Sequence, residues 1–162
     1  MNNVFKHLTS LVLPFTALLF IPWIIENNLA ISNVWIFSIE VLIISIGLLC
    51  IAITTFTFIK IGKGTLAPWN PTKNIVIKGM YRHVRNPIII GAIIVLIGES
   101  IAFISLNIFI WTCVFFLINH LYFILYEEPN LEKKFGDTYI NYKIKVNRWI
   151  PKLKPYIPTE TY

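Results

Sequence analysis

Two clusters in this chain are equipped for chemistry, and a long apolar stretch separates them. The first is Gly79-Met80-Tyr81-Arg82-His83-Val84-Arg85-Asn86-Pro87. The second opens on Tyr126-Glu127-Glu128-Pro129 and runs to Trp149-Ile150-Pro151. Arg82 and Arg85 carry fixed positive charge. Asn86-Pro87 reads as a helix start, with Asn at the N-cap and Pro in the first turn. A helix N-terminus has free N–H groups and partial positive charge, so beside two arginines it suits a carboxylate or a phosphate. The same residues also describe a plain capped helix whose arginines face lipid headgroups.

Glu127 and Glu128 supply the opposite charge. They fall where an apolar helix should end, and carboxylates at a helix C-terminus oppose its dipole. A compensating partner is expected: Arg82 or Arg85 as an ion pair, or a ligand bearing a cation or hydroxyls. His120 lies seven residues before Glu127, two α-helical turns, which places both on one face. An imidazole in a membrane span is costly without a partner. His120 is thus either bonded to a neighbouring helix or a proton-handling group, and it is the candidate catalytic base. Glu40 and Glu99 also sit in apolar surroundings. They are expected to be structural glue, hydrogen-bonded to each other or to backbone. Tyr81 is among the aromatic residues able to face a cation.

The elements that must position these groups are membrane helices. Of 162 residues, 56% are hydrophobic, and the apolar residues are blocked at 8–25, 34–59, 87–104 and 106–126. Each block is long enough to cross about 30 Å of hydrocarbon at about 1.5 Å per residue. The expected fold is all-α: one polytopic domain, 1–162, of about four transmembrane helices. A loop at 60–86 and a tail at 127–162 complete it. Of the 14 basic residues, Lys6 precedes the first block, six lie in 60–86 and seven follow Tyr126. By the positive-inside rule both termini and the 60–86 loop are cytoplasmic. The +6 net charge then marks a cytoplasmic face that attracts anionic membrane lipids, and it requires no nucleic acid. Cys50 and Cys113 fall in different halves of the bilayer, so no disulfide is expected, and neither has metal-ligand spacing. Gly91 and Gly98, one heptad apart, allow close helix contact or a ligand groove. In the tail, Leu131, Phe135, Tyr139, Tyr142 and Val146 form an apolar stripe broken at Gly136. It is expected to close as a cytoplasmic lid over the ends of the third and fourth helices.

A cation cluster facing a carboxylate pair suits a zwitterionic ligand. S-adenosylmethionine is one such molecule, and charge alone does not single it out. GMYRHVRNPIIIG followed by YEEPNLEKKFGDTYINYKIKVNRWIP resembles the isoprenylcysteine carboxyl methyltransferase family of integral-membrane enzymes, related to phospholipid N-methyltransferases. The resemblance covers about residues 62–151, and both halves occur in order around a hairpin. It implies S-adenosylmethionine as cofactor, with Arg85, Asn86, Pro87, Glu127 and Glu128 helping to bind it; Tyr81 and His83 of the same cluster complete the expected binding set. It also implies a lipophilic or small-molecule methyl acceptor reached from the bilayer. Asn86 and Ile89 stand where that family often has His and Tyr. Four spans resemble the compact prokaryotic members, which implies an inner or plasma membrane. Two other readings remain open at this point: an NADPH-dependent membrane reductase, and a small transporter or membrane-interaction protein in which Glu40 and Glu99 line a path.

Overall fold

A computed structural model describes residues 12–26, 34–63 and 72–158, with side chains from residue 37 onward in the second segment. Lys6, the start of the first apolar block at 8–11, residues 27–33, Trp69 and the chain after 158 lie outside the described residues. All regular structure among the described residues is helical.

Two helices have the length and composition to cross a bilayer, and two shorter ones accompany them. Helix α1 is Val12–Ile25, α2 is Val34–Gly62, α3 is Pro87–Ala102 and α4 is Leu106–Tyr122. Helix α4 runs on through a π turn, Phe123–Glu127, into α5, Glu128–Phe135. After Gly136, α6 spans Asp137–Lys145. The continuous helix Leu106–Phe135 has 30 residues, about 45 Å of rise against about 30 Å of hydrocarbon. Its last third, from Glu127 on, therefore projects beyond the apolar span. The outer surfaces of α2 and α4 carry exposed Leu42, Leu49, Phe56, Phe109, Leu117 and Leu125, so these helices are apolar on the faces that neighbours do not cover. Such a surface matches lipid rather than water.

Helix α3 forms the inside of the bundle. Leu96 is fully buried and Val95 is 3% exposed. Gly91 fits against α2 so closely that a Cβ there would lie 2.8 Å from Ile51 Cγ1 and 2.9 Å from the Gly47 carbonyl. Small residues let the backbones approach, the closest packing available without a hydrophobic drive between helices. Of the two roles open to Gly91 and Gly98, close helix contact is the one observed; a Cβ on Gly98 would meet Ile44 Cγ1 at 2.6 Å.

A proline breaks two helices in the same way. In α1 the N–H of Ile21 reaches back to Thr16, a π bond, over Thr16–Phe20, just ahead of Pro22. In the α4–α5 helix the N–H of Glu128 reaches back to Phe123 just ahead of Pro129. Proline lacks a donor and its ring crowds the preceding turn, so that turn widens. The first widened turn leaves the Ala17 carbonyl without its α-helical partner. The Trp111 indole N–H donates to it at 2.9 Å, which keeps the backbone satisfied in an apolar setting.

The turn between α3 and α4 closes as a Schellman motif. Ser105 N–H donates to Ser100 O at 2.9 Å and Ile104 N–H to Ile101 O at 3.2 Å. Ile104 takes the left-handed position at φ 46°, where glycine is normal and a β-branched residue is strained. Ser105 then caps α4 by accepting from Ile108 N–H at 3.2 Å and donates to Glu26.

Candidate functional site

At the other end of α3 the charged clusters meet. Gly79 turns the chain with φ 57° into a 3₁₀ turn, Gly79–Arg82, which seats Tyr81 inside at 7% exposure. Pro87 opens α3, but Asn86 does not cap it with its side chain. That expectation fails because Asn86 sits at φ −120°, ψ 58°, off the usual cap conformation. Its Nδ2 is buried without a hydrogen-bond partner among the described residues.

Glu128 is the electrostatic centre. Arg148 grips it twice, Nε to Oε1 at 2.6 Å and Nη2 to Oε2 at 2.9 Å. Arg85 Nη1 lies 2.9 Å from Oε1 and Lys143 Nζ 3.4 Å from Oε2. Lys143 is shared with Glu132 at 2.6 Å. The dipole argument for these acids does not hold, since the helix continues past them and Glu128 belongs to the first turn of α5. What compensates Glu128 is direct pairing. Burial alone would raise its pKa, but the Arg148 hydrogen bond and the charges of Arg85, Arg148 and Lys143 outweigh it. The carboxylate is held below its ordinary range. The Arg85 contact is a charge contact off the hydrogen-bond angle, because Arg85 Nε and Nη1 are both buried without a hydrogen-bond acceptor.

Glu127 behaves differently. Its carboxyl makes no hydrogen bond among the described residues, and burial together with the adjacent Glu128 charge pushes it up to about 7. Its charge is felt at Tyr81, whose hydroxyl is held above its ordinary range by burial first, then by Tyr142, Glu127 and Cys50. The Tyr81 hydroxyl is also buried without a partner among the described residues. Among the described residues the cluster therefore holds buried donors without an acceptor on Tyr81, Asn86 and the Glu128-paired Arg85, and a Glu127 carboxyl with no hydrogen bond.

The tail ties this arrangement down. Tyr142 Oη donates to the Tyr81 carbonyl at 2.6 Å. Arg85 N–H donates to Asn147 O, Lys152 N–H to His83 O and Tyr156 N–H to Arg82 O, each at 2.9 Å. The Arg82 guanidinium donates to Tyr156 O at 2.6 Å. His83 Nδ1 lies 2.7 Å from Lys152 O. Arg82 and His83 are thus engaged by the tail. Tyr139, Tyr142 and Val146 of the apolar stripe are buried together, with its Leu131 and Phe135 and with Ile75, Ile77 and Tyr156 packed against them. A stripe's period shows which face is apolar and says nothing of what lies against it, so Ile75, Ile77 and Tyr156 were not legible as its partners.

His120 sits one step away. Trp149 Nε1 donates to its Nδ1 at 2.9 Å, and Phe116 stacks on it at 5.7 Å and 20°. The Trp149 bond occupies the lone pair that a base would use. The π turn adds a residue between His120 and Glu127, so their seven-residue spacing is no longer two turns. Sequence reasoning missed Lys143, Arg148 and Trp149. The signal was there in Asn147-Arg148-Trp149, where two large polar-capable side chains follow an apolar stripe just before Pro151.

The phospholipid methyltransferase family model matches residues 35–138, from the start of α2 to the first turn of α6. No curated protein and no solved structure matches the chain significantly. The match takes in the 79–87 cluster, His120, Glu127 and Glu128, and stops before Arg148 and Trp149. It agrees with the resemblance carried by those same residues, and the lipid-matched helices agree with a membrane enzyme. The chain belongs to the phospholipid methyltransferase family of membrane methyltransferases.

Proposed function

We propose that this protein transfers a methyl group from S-adenosylmethionine, bound between the 79–87 cluster and Glu127, to a lipophilic or small acceptor that enters from the bilayer. One observation carries the reading: Tyr81, Arg85 and Asn86 hold buried donors with no acceptor among the described residues, and the charge of Glu127 is felt at Tyr81. The donor set fits an amino-acid carboxylate, and Glu127 fits an ammonium or ribose hydroxyls. The bound cofactor would supply an activated methyl on a sulfonium. The protein's own residues do the rest. Arg85 and Asn86 orient the anionic group, Pro87 fixes the backbone that carries them, and Glu127 takes the cationic side. Glu128 holds Arg85 and Arg148 in register. The tail then excludes water, which strengthens every charge contact inside. Methyl transfer needs alignment more than acid–base work. His120 accepts a proton only where an acceptor displaces Trp149 from it, and a carboxylate acceptor needs no base.

In this reading the basic loop and both termini face the cytoplasm, four helices cross the bilayer, and the tail from 131 to 150 acts as the lid. Titration calorimetry on detergent-solubilised protein tests it. S-adenosylhomocysteine should bind, with Glu127→Gln at least roughly tenfold weaker, the size of one charged hydrogen bond. Truncation after Asn130 should abolish binding. Binding of NADPH instead, or unchanged affinity in both Glu127→Gln and Glu128→Gln, overturns the proposal. Cysteine labelling of Asn28 from the cytoplasmic side would overturn the topology.

A further inference from the structure

The far end of the bundle holds a cavity away from the 79–87 cluster and Glu127. Its volume is about 500 Å³, and it lies between α1, α2 and α3, within the range of small-molecule sites. Its walls include Phe15, Phe20, Trp23 and Phe103. Glu40 and Glu99 both line it, at 4% and 9% exposure. The Oε2 atom of each is buried with no hydrogen-bond partner among the described residues. The expectation that these acids bond to each other or to backbone therefore fails for both of those oxygens. None of the cavity's lining residues is a Lys, Arg or His.

Two carboxyl groups left this way in apolar surroundings are expensive in either protonation state, since charge lacks a counter-ion and the neutral form lacks a partner. Something with several donors relieves both. A primary ammonium has three donors and a positive charge, and a hydroxyl has one donor. The aromatic walls favour the same choice, because ring faces attract cations and not alcohols. The widened turn of α1, Thr16–Phe20, supplies part of the wall, and such turns recur at functional sites. Glu99 lies twelve residues along α3 from Pro87, about 18 Å, too far for the ligand here to receive the methyl group.

We infer that the Glu40–Glu99 cavity is a binding site for an amphiphilic amine, its ammonium between the two carboxyl groups and its chain along the aromatic walls. The test uses the full chain in lipid nanodiscs, with n-dodecylamine and n-dodecanol as probes and thermal unfolding as the readout. Dodecylamine should raise the unfolding temperature of the wild type well above the effect of dodecanol. Glu40→Gln and Glu99→Gln should each weaken the apparent amine affinity at least about tenfold, while still unfolding cooperatively and retaining unchanged S-adenosylhomocysteine affinity. Equal shifts from amine and alcohol overturn the inference, as does an amine shift that survives in the Glu40→Gln/Glu99→Gln double variant.

Discussion

The two ends of α3 treat buried acid in opposite ways. At its N-terminal end Glu128 is surrounded by Arg85, Arg148 and Lys143, all supplied by the chain itself. At its C-terminal end Glu40 and Glu99 have no cation among the residues lining their cavity. Both ends carry a proline-widened turn nearby, so backbone irregularity does not separate them. The difference is the supply of counter-charge. One end is closed electrostatically by 20 residues of sequence between Glu128 and Arg148, and the other remains an acceptor that must be satisfied from outside.

Removing Glu128 is the hardest blow to this contrast. Glu128→Ala strands three cations in a dry cluster, and breaking such a pair costs about 3–5 kcal/mol. Unfolding in detergent should show that loss, with the tail becoming protease-sensitive; a loss under about 1 kcal/mol would mean the clamp is ornamental. The same kind of change at the far end should have the opposite sign. Glu40→Leu removes a buried carboxyl whose Oε2 has no hydrogen-bond partner among the described residues, so without amine the protein should gain roughly 1–3 kcal/mol. A clear destabilisation there would show that Glu40 is already satisfied.

Glu127 sharpens the comparison within one end. It titrates higher folded, at about 7, than its ordinary 4.5, so folding with a bare carboxylate is penalised. The penalty is absent below about pH 4.5, grows toward pH 7 and is complete above it. Glu127→Gln should match the wild type in stability at pH 4.5 and exceed it at pH 8, by roughly 1–2 kcal/mol once its partial exposure is allowed for. Equal stability at both values would place Glu127 in a bonded environment. The smallest effect is expected at the α3–α4 turn. Ile104→Gly removes a side chain from a left-handed position and should stabilise by up to about 1 kcal/mol, read as a small rise in unfolding temperature.

Much of this was legible from residue types. Apolar blocks give the helices, since hydropathy reports lipid exposure directly. The Arg85–Pro87 and Glu127–Glu128 pairs were found because charge beside an apolar block is conspicuous. What the chain does not print is which of two neighbouring acids is paired. Glu127 and Glu128 are chemically identical, and the widened turn before Pro129 decides which one meets Arg148. The far cavity was hidden for a similar reason. Glu40 and Glu99 are 59 residues apart, and only the crossing of α2 and α3 through Gly47 and Gly91 puts them on one wall.

The backbone bonds that fasten Asn147, Lys152 and Tyr156 to Arg85, His83 and Arg82 also set a clock. During synthesis residues 147–156 are joined after every residue of α1 to α4. Until then the Tyr81–Asn86 donors have no cover and Glu128 lacks Arg148. The cluster at the start of α3 therefore stays incomplete until the strap after α6 has been made and has closed.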